Sequence, residues 1–178
     1  MGLLNKTKTY LIGHMEYING QAWREYATTQ LNSIGVICYN PYCKPFLENL
    51  EEGDDTRAEL HKEIQLGNYD KVNGVMRKIR SYDLNLVDRS DYIIAHIQPE
   101  IASWGTAEEL TTANRSKKPI FCSISGGKKK TPLWLLGMLP HKYFYDSIEE
   151  IIEMLKKIDS GNVKADSNRW RLLQENLR

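Results

Sequence analysis

The sequence predicts an α/β protein, a doubly wound parallel sheet of about five strands with flanking helices. Three observations predict it. Its short apolar runs are continuous rather than alternating, as strands buried on both faces require. Helical segments separate these runs, and a helix between neighbouring parallel strands implies right-handed crossovers. At 178 residues the chain is long enough to bury a core around one sheet and too short for two full domains. A single domain over 1–178 follows, with 160–178 as a helical extension at its C-terminal end.

The elements follow in order. "KTYLIG", ending at Gly13, is a β-rich run closed by glycine, and "GQAWREYATTQLNSIG" then places Ala22, Tyr26, Thr29 and Leu31 near helical spacing. "VICYNP", Val36 to Pro41, reads as a second buried strand ended by Asn-Pro. The polar stretch from Cys43 to Gly74 exceeds a normal α/β connection and should hold a loop or short helices near the ligand crevice. "MRKIRSYDLNLVDRSD" is a helix with Met76, Ile79, Leu86 and Val87 on one stripe, leading into the strand "DYIIAHI". "KPIFCSI" is the fourth strand and "KYFY", Lys142 to Tyr145, a weaker fifth. The tail carries an amphipathic helix, "SIEEIIEMLKKI", and a second, "NRWRLLQENL".

Composition removes several classes of function. Lys+Arg 24 against Asp+Glu 23 gives a formal net charge of +1, without the basic footprint of a nucleic-acid binder, so a small ligand is expected. No apolar run approaches the ~20 residues of a membrane span, and the N-terminus lacks the apolar core of a signal peptide, so no membrane partner and a cytoplasmic location are expected. Cys38, Cys43 and Cys122 lack paired metal-ligand spacing and read as reduced, structural thiols. No metal and no cofactor is expected. "SGGKKK", Ser125 to Lys130, is a basic glycine loop without Walker spacing and reads as solvated. Asp91, at the start of its strand, reads as a turn or cap residue, and His61 and His141 as packing residues.

Two carboxylates stand out. Asp83 lies four residues after Ile79 and three before Leu86, on or beside a buried stripe, where a charge must be paired, by Arg80 or a backbone donor, or be held as the neutral acid. Glu109 fits a capping box with Thr106 as N-cap. The same spacing sets it in the first turn of a helix leaving the carboxyl end of a strand, facing the crevice, where a nucleophile would stand. His14 and Trp104 are candidates to line that crevice.

The ordered set Tyr10-Leu-Ile-Gly13, Asp83-Leu84-Asn85, "SDYIIAHI", Ser103-x-Gly105-x-x-x-Glu109-Leu110-x-x-Ala113 and "KKPI" resembles the nucleoside 2-deoxyribosyltransferase superfamily, which includes the 2′-deoxynucleoside 5′-phosphate N-hydrolases. The resemblance is weakest from Pro41 to about Asn73 and at the C-terminus. It implies a flavodoxin-like fold, cleavage of an N-glycosidic bond in nucleoside salvage, and a homo-oligomer. It makes Glu109 the nucleophile at C1′, Asp83 the residue that manages the proton of the base, and Tyr10 the residue that orients Glu109. Ser103 matches a phosphate-contacting serine of the N-hydrolases, where some transferases carry an aspartate that holds the 5′-hydroxyl; by their positions Gly13, His14, Trp104 and Gly105 are further candidate substrate contacts. The pair of carboxylates suits double displacement with net retention.

Three departures bear on the substrate. Glu16 stands where the N-hydrolases carry a phosphate-binding arginine, Trp134 where transferases offer an asparagine to a neighbouring subunit, and Thr111 where a glycine follows Glu-Leu. The expected activity is transfer of 2-deoxyribose between nucleobases, with deoxynucleoside and base as the small-molecule partners. The alternatives are an N-hydrolase of a deoxynucleoside or its 5′-monophosphate, and a catalytically silent nucleotide-binding domain.

Overall fold

The structure is a computed structural model that describes residues 2–15, 19–43, 54–165, 168–170 and 173. Five parallel strands form one sheet in the order β2-β1-β3-β4-β5, with β1 Lys8–Gly13, β2 Ile37–Tyr39, β3 Tyr92–Ile97, β4 Ile120–Ile124 and β5 Phe144–Tyr145. This is the flavodoxin-like order, whose chain direction across the sheet reverses between β1 and β3. The helices are α1 Asn19–Asn32, α2 Asp54–Gln65, α3 Tyr69–Arg89, α4 Trp104–Arg115, α5 Leu133–Met138 and α6 Ile148–Asp159.

Alternate residues of each central strand enter two separate cores, which is why the strands read as continuous apolar runs. Leu11, Ile94 and Phe121 pack with Ala27 and Leu31 of α1 and Ile151 and Leu155 of α6. Tyr10, Ile12, Ile93, Ala95 and Cys122 pack on the other face with Leu86 and Val87 of α3 and Leu110 and Ala113 of α4. Burial pushes the Cys122 and Cys38 thiols up to about 12, so neither offers a thiolate near neutral pH. The tail closes the first core: Trp170 is buried against Tyr92 and Phe121, with ring centroids 5.2 and 5.8 Å away. Most of "NRWRLLQENL" lies outside the described residues.

The structure corrects several expectations. β2 is an edge strand with Ile37 exposed, because only β1 pairs with it, whereas the sequence suggests burial on both faces. The buried face of α1 runs through Gly20, Arg24, Ala27 and Leu31, leaving Ala22, Tyr26 and Thr29 exposed. The buried stripe of α1 contains an arginine. Met76 is exposed, while Ile79, Leu86 and Val87 of its expected stripe are buried. His61 and His141 are exposed rather than packed. Asp91 accepts the Lys8 N–H at 2.7 Å, joining the start of β1 to the start of β3.

Candidate active site

A cavity of about 420 Å³ opens where β1 and β3 end, at the reversal point of the sheet. Tyr10 and Gly13 of β1, His14 and Met15 beyond it, Asp83 of α3 and the Ser103–Glu109 end of α4 all face it. All eight residues singled out in the sequence, Tyr10, Gly13, His14, Asp83, Ser103, Trp104, Gly105 and Glu109, therefore line one cleft. Glu16 lies outside the described residues.

The start of α4 differs from the capping box. Ser103, not Thr106, is the N-cap: its Oγ accepts the Thr106 N–H at 3.3 Å, and the Ala107 N–H donates to the Ser103 carbonyl at 3.1 Å. The Ser103 hydroxyl donates onward to Thr106 Oγ1 at 3.0 Å, so its proton is spent inside the helix start. With the helix beginning at Trp104, Glu109 sits in the second turn, beyond the short reach of the helix-terminal charge invoked from sequence. Gly105 lies in the first turn of α4 rather than in a loop, and a Cβ there would meet nothing within 4 Å. Packing does not require that glycine, and its backbone borders the cleft. Trp104 is 90% exposed at the lip.

Glu109 is instead tied to Tyr10 by a hydrogen bond. The buried Tyr10 hydroxyl donates to Glu109 Oε1 at 3.0 Å across the core face shared by β1 and α4. Asp83 is half-buried on α3, one turn from Ile79 and within the same cavity. Arg80 pairs elsewhere than with Asp83: its Nε donates to Glu108 Oε2 at 2.7 Å and its Nη2 to Glu108 Oε1, a bidentate clamp between α3 and α4 at the cleft mouth. That hydrogen bonding holds the Glu108 carboxyl below the usual range and raises Arg80. The clamp was not read from the sequence. The i to i+28 spacing of its partners is visible only once α3 and α4 are known to be neighbours.

A side pocket of about 140 Å³ adjoins the cleft and shares His14, Ile101, Ser103 and Thr106 with it. His96, at the end of β3, lines it; its Nδ1 shares a 2.7 Å hydrogen bond with Ser123 Oγ, and Trp23 tilts against its ring at 5.7 Å. Burial first, then the nearby His14 and Arg24, push the His96 imidazole down to about 4, so it is neutral at physiological pH.

Two cations with no motif signal in the sequence stand in this region. Arg57 of α2 lines the cleft, from the long polar stretch expected to approach it. Arg24 of α1 lies behind the end of β1, fully buried. Among the described residues no group of His, Cys, Asp and Glu has metal-binding geometry, and no helix is long and apolar enough to cross a membrane. The loop around Lys128–Lys130 is closed by the chain itself, the Lys128 N–H donating to Asp146 Oδ1 at 2.6 Å.

No family model matches the chain, and no curated protein matches it. Solved structures do. A 2-deoxyribosyltransferase from the psychrotolerant bacterium Bacillus psychrosaccharolyticus is similar over 82% of this chain and 90% of that one, with 15% identity and a TM-score of 0.58. A 2-desoxiribosyltransferase from Leishmania mexicana matches over 67% and 65% of the two chains, at 18% identity and a TM-score of 0.45. A CMP N-glycosidase from Clostridium botulinum matches over 84% and 98%, at 15% identity and a TM-score of 0.49. At this level the likeness is one of architecture, and the chain carries the same α/β fold as the Bacillus psychrosaccharolyticus 2-deoxyribosyltransferase.

Proposed function

We propose that the protein is a nucleoside 2-deoxyribosyltransferase. The observation that carries this reading is the Tyr10 to Glu109 hydrogen bond of 3.0 Å inside a cleft that also holds Asp83. A carboxylate hydrogen-bonded to a buried phenol, in one cleft with a second carboxyl group, is the equipment for double displacement at a glycosidic carbon.

In the first half-reaction a Glu109 oxygen forms a bond to C1′ of the deoxyribose. The C1′–N bond breaks, its electron pair stays with the base, and the protonated Asp83 carboxyl delivers its proton to that base. In the second, a nitrogen of another nucleobase attacks C1′, the Glu109 carboxylate leaves, and the acceptor returns its proton to Asp83. Two inversions give net retention. Trp104, exposed at the lip, offers an aromatic face for the base. The Ser103 side chain caps α4 while lining the cleft, so a substrate contact would be shared with that cap.

One observation favours the N-hydrolase reading. The mouth around Ala102, Trp104 and Gly105 is exposed, and water that reaches the glycosyl-enzyme competes with an acceptor base. Exposed Leu133 and Trp134 on α5 support assembly of further copies of the chain, in line with the expected homo-oligomer.

The test is to incubate the protein with a 2′-deoxynucleoside, with and without an excess of a second free base. New nucleoside formed only with the acceptor is expected. Free deoxyribose released regardless of acceptor would favour hydrolysis, and no turnover of any deoxynucleoside or its 5′-monophosphate would sink both enzyme readings.

A further inference from the structure

Arg24 is 0% exposed, although arginine is among the residues least often found fully buried. A guanidinium out of water costs several kcal/mol unless its protons are taken up. Here they are taken by the backbone that leaves β1. Nε donates to the Leu11 carbonyl at 3.1 Å and Nη2 to the Gly13 carbonyl at 2.8 Å. Nη1 spans the turn, donating to the Gly20 carbonyl at 2.7 Å and the His14 carbonyl at 3.4 Å. Trp23 and Tyr42 bracket the cation, at 4.6 and 5.4 Å from their ring centroids.

Two further observations join this one. The Tyr42 hydroxyl donates to the Met15 carbonyl at 3.0 Å, extending the grip by one residue. Glycines stand where the guanidinium passes. A Cβ on Gly13 would come within 3.0 Å of the His96 carbonyl oxygen and 3.2 Å of Arg24 Nη2, and one on Gly20 within 2.9 Å of the Tyr42 hydroxyl and 3.4 Å of Arg24 Nη1. Among the described residues of this turn, Gly13, His14 and Met15 line the cleft, and the carbonyl of each is held.

We propose that Arg24 is a positioning residue of the cleft. Its forked guanidinium, backed by Tyr42, gathers the carbonyls at both ends of the β1–α1 turn and sets Gly13, His14 and Met15 as a preformed wall for the substrate. Arginine is suited to this where lysine is not, because a planar fork reaches acceptors in several fixed directions and an ammonium on a flexible stem does not. The substrate named here rests on the transferase reading, and the hold on the turn does not.

The test compares Arg24→Lys with the native chain by backbone hydrogen exchange and by deoxynucleoside kinetics. Faster exchange is expected at Gly13 to Met15 with β3 and β4 unchanged, together with a rise in KM of about tenfold or more and kcat within about threefold. Unchanged exchange at the turn, with KM as in the native chain, would overturn the proposal. Exchange that rises evenly over the whole sheet would also overturn it, since Arg24 would then only stabilise the fold. A native protein inert toward every deoxynucleoside would defeat the functional reading and leave the exchange result to decide Arg24. Should Arg24→Lys not fold, Tyr42→Phe breaks only the Met15 end: a smaller local loosening and KM rise support the wall, and no change at either readout contradicts it.

Discussion

The two sides of the cleft are built on opposite terms. The β1 side is buried, with the backbone carbonyls of Leu11, Gly13, His14 and Gly20 held by Arg24 and the strand itself carrying Tyr10. The α3–α4 side is half-open: Trp104 stands in solvent, Met76 is exposed, and the helices are tied across the mouth by the Arg80 to Glu108 pair. Reacting groups must be held within fractions of an ångström, whereas groups that admit and release a substrate need freedom. The difference assigns a fixed wall to the strand side and access to the solvent-facing lip of the helix side, and the Tyr10 to Glu109 hydrogen bond ties the carboxylate of α4 to the strand side.

Breaking that junction gives the largest effects. Glu109→Ala should lower kcat by at least about 10⁴-fold, the range seen when a nucleophile is removed, while circular dichroism and the melting temperature stay near native, because Ser103 rather than Glu109 caps α4. Survival of activity would refute the nucleophile, and collapse of the fold would mean that the residue is structural after all. Tyr10→Phe keeps the ring in its core and removes only the hydroxyl; a hydrogen bond to a carboxylate is worth about 1.5 to 3 kcal/mol, so a 10- to 100-fold fall in kcat is expected in steady-state assays.

Acid probes the strand side differently. The folded pKa of His96, about 4, lies below the ordinary 6.5, so between these values the unfolded chain binds the proton more readily. The stability this contributes is fully present above pH 6.5 and is lost as pH falls toward 4, a loss of roughly 2 kcal/mol once partial exposure is allowed for. Denaturant midpoints taken across that window should fall, and His96→Gln should flatten the fall. The smallest effect belongs to the access side. Arg80→Ala removes an exposed pair, so the melting temperature should stay within about 2 °C and kcat/KM within about fivefold. A larger loss of kcat would show the helix side to be as exacting as the strand side.

Much of the architecture was legible in the sequence, because strands buried on both faces write themselves as apolar runs: Lys8–Gly13 agrees to the residue, and β3 and β4 to within two. Seven of the eight candidate residues fall in one cleft for a related reason, since residues of β1 and the start of α4 must converge where the sheet reverses, and Asp83 joins them from α3 packed alongside. What could not be read depended on how the elements meet in space. Arg24 hid the phase of α1, as a buried cation looks like a surface residue until the carbonyls that receive it are known. The cap of α4 was misplaced by three residues because Ser103 and Thr106 are both good caps, and only the geometry of the entering loop chooses between them. The Arg80 to Glu108 clamp needed the contact of α3 with α4.

The central claim is that Glu109 carries the sugar. A deoxynucleoside bearing fluorine at C2′, which slows both bond-breaking steps by destabilising the cation-like transition state, should accumulate the glycosyl-enzyme. Digestion and mass spectrometry should then find one fluorodeoxyribosyl group, on the peptide containing Glu109 and bound through that carboxylate. An adduct on another residue, or turnover of the natural substrate with inversion at C1′ and no adduct at all, would contradict the account.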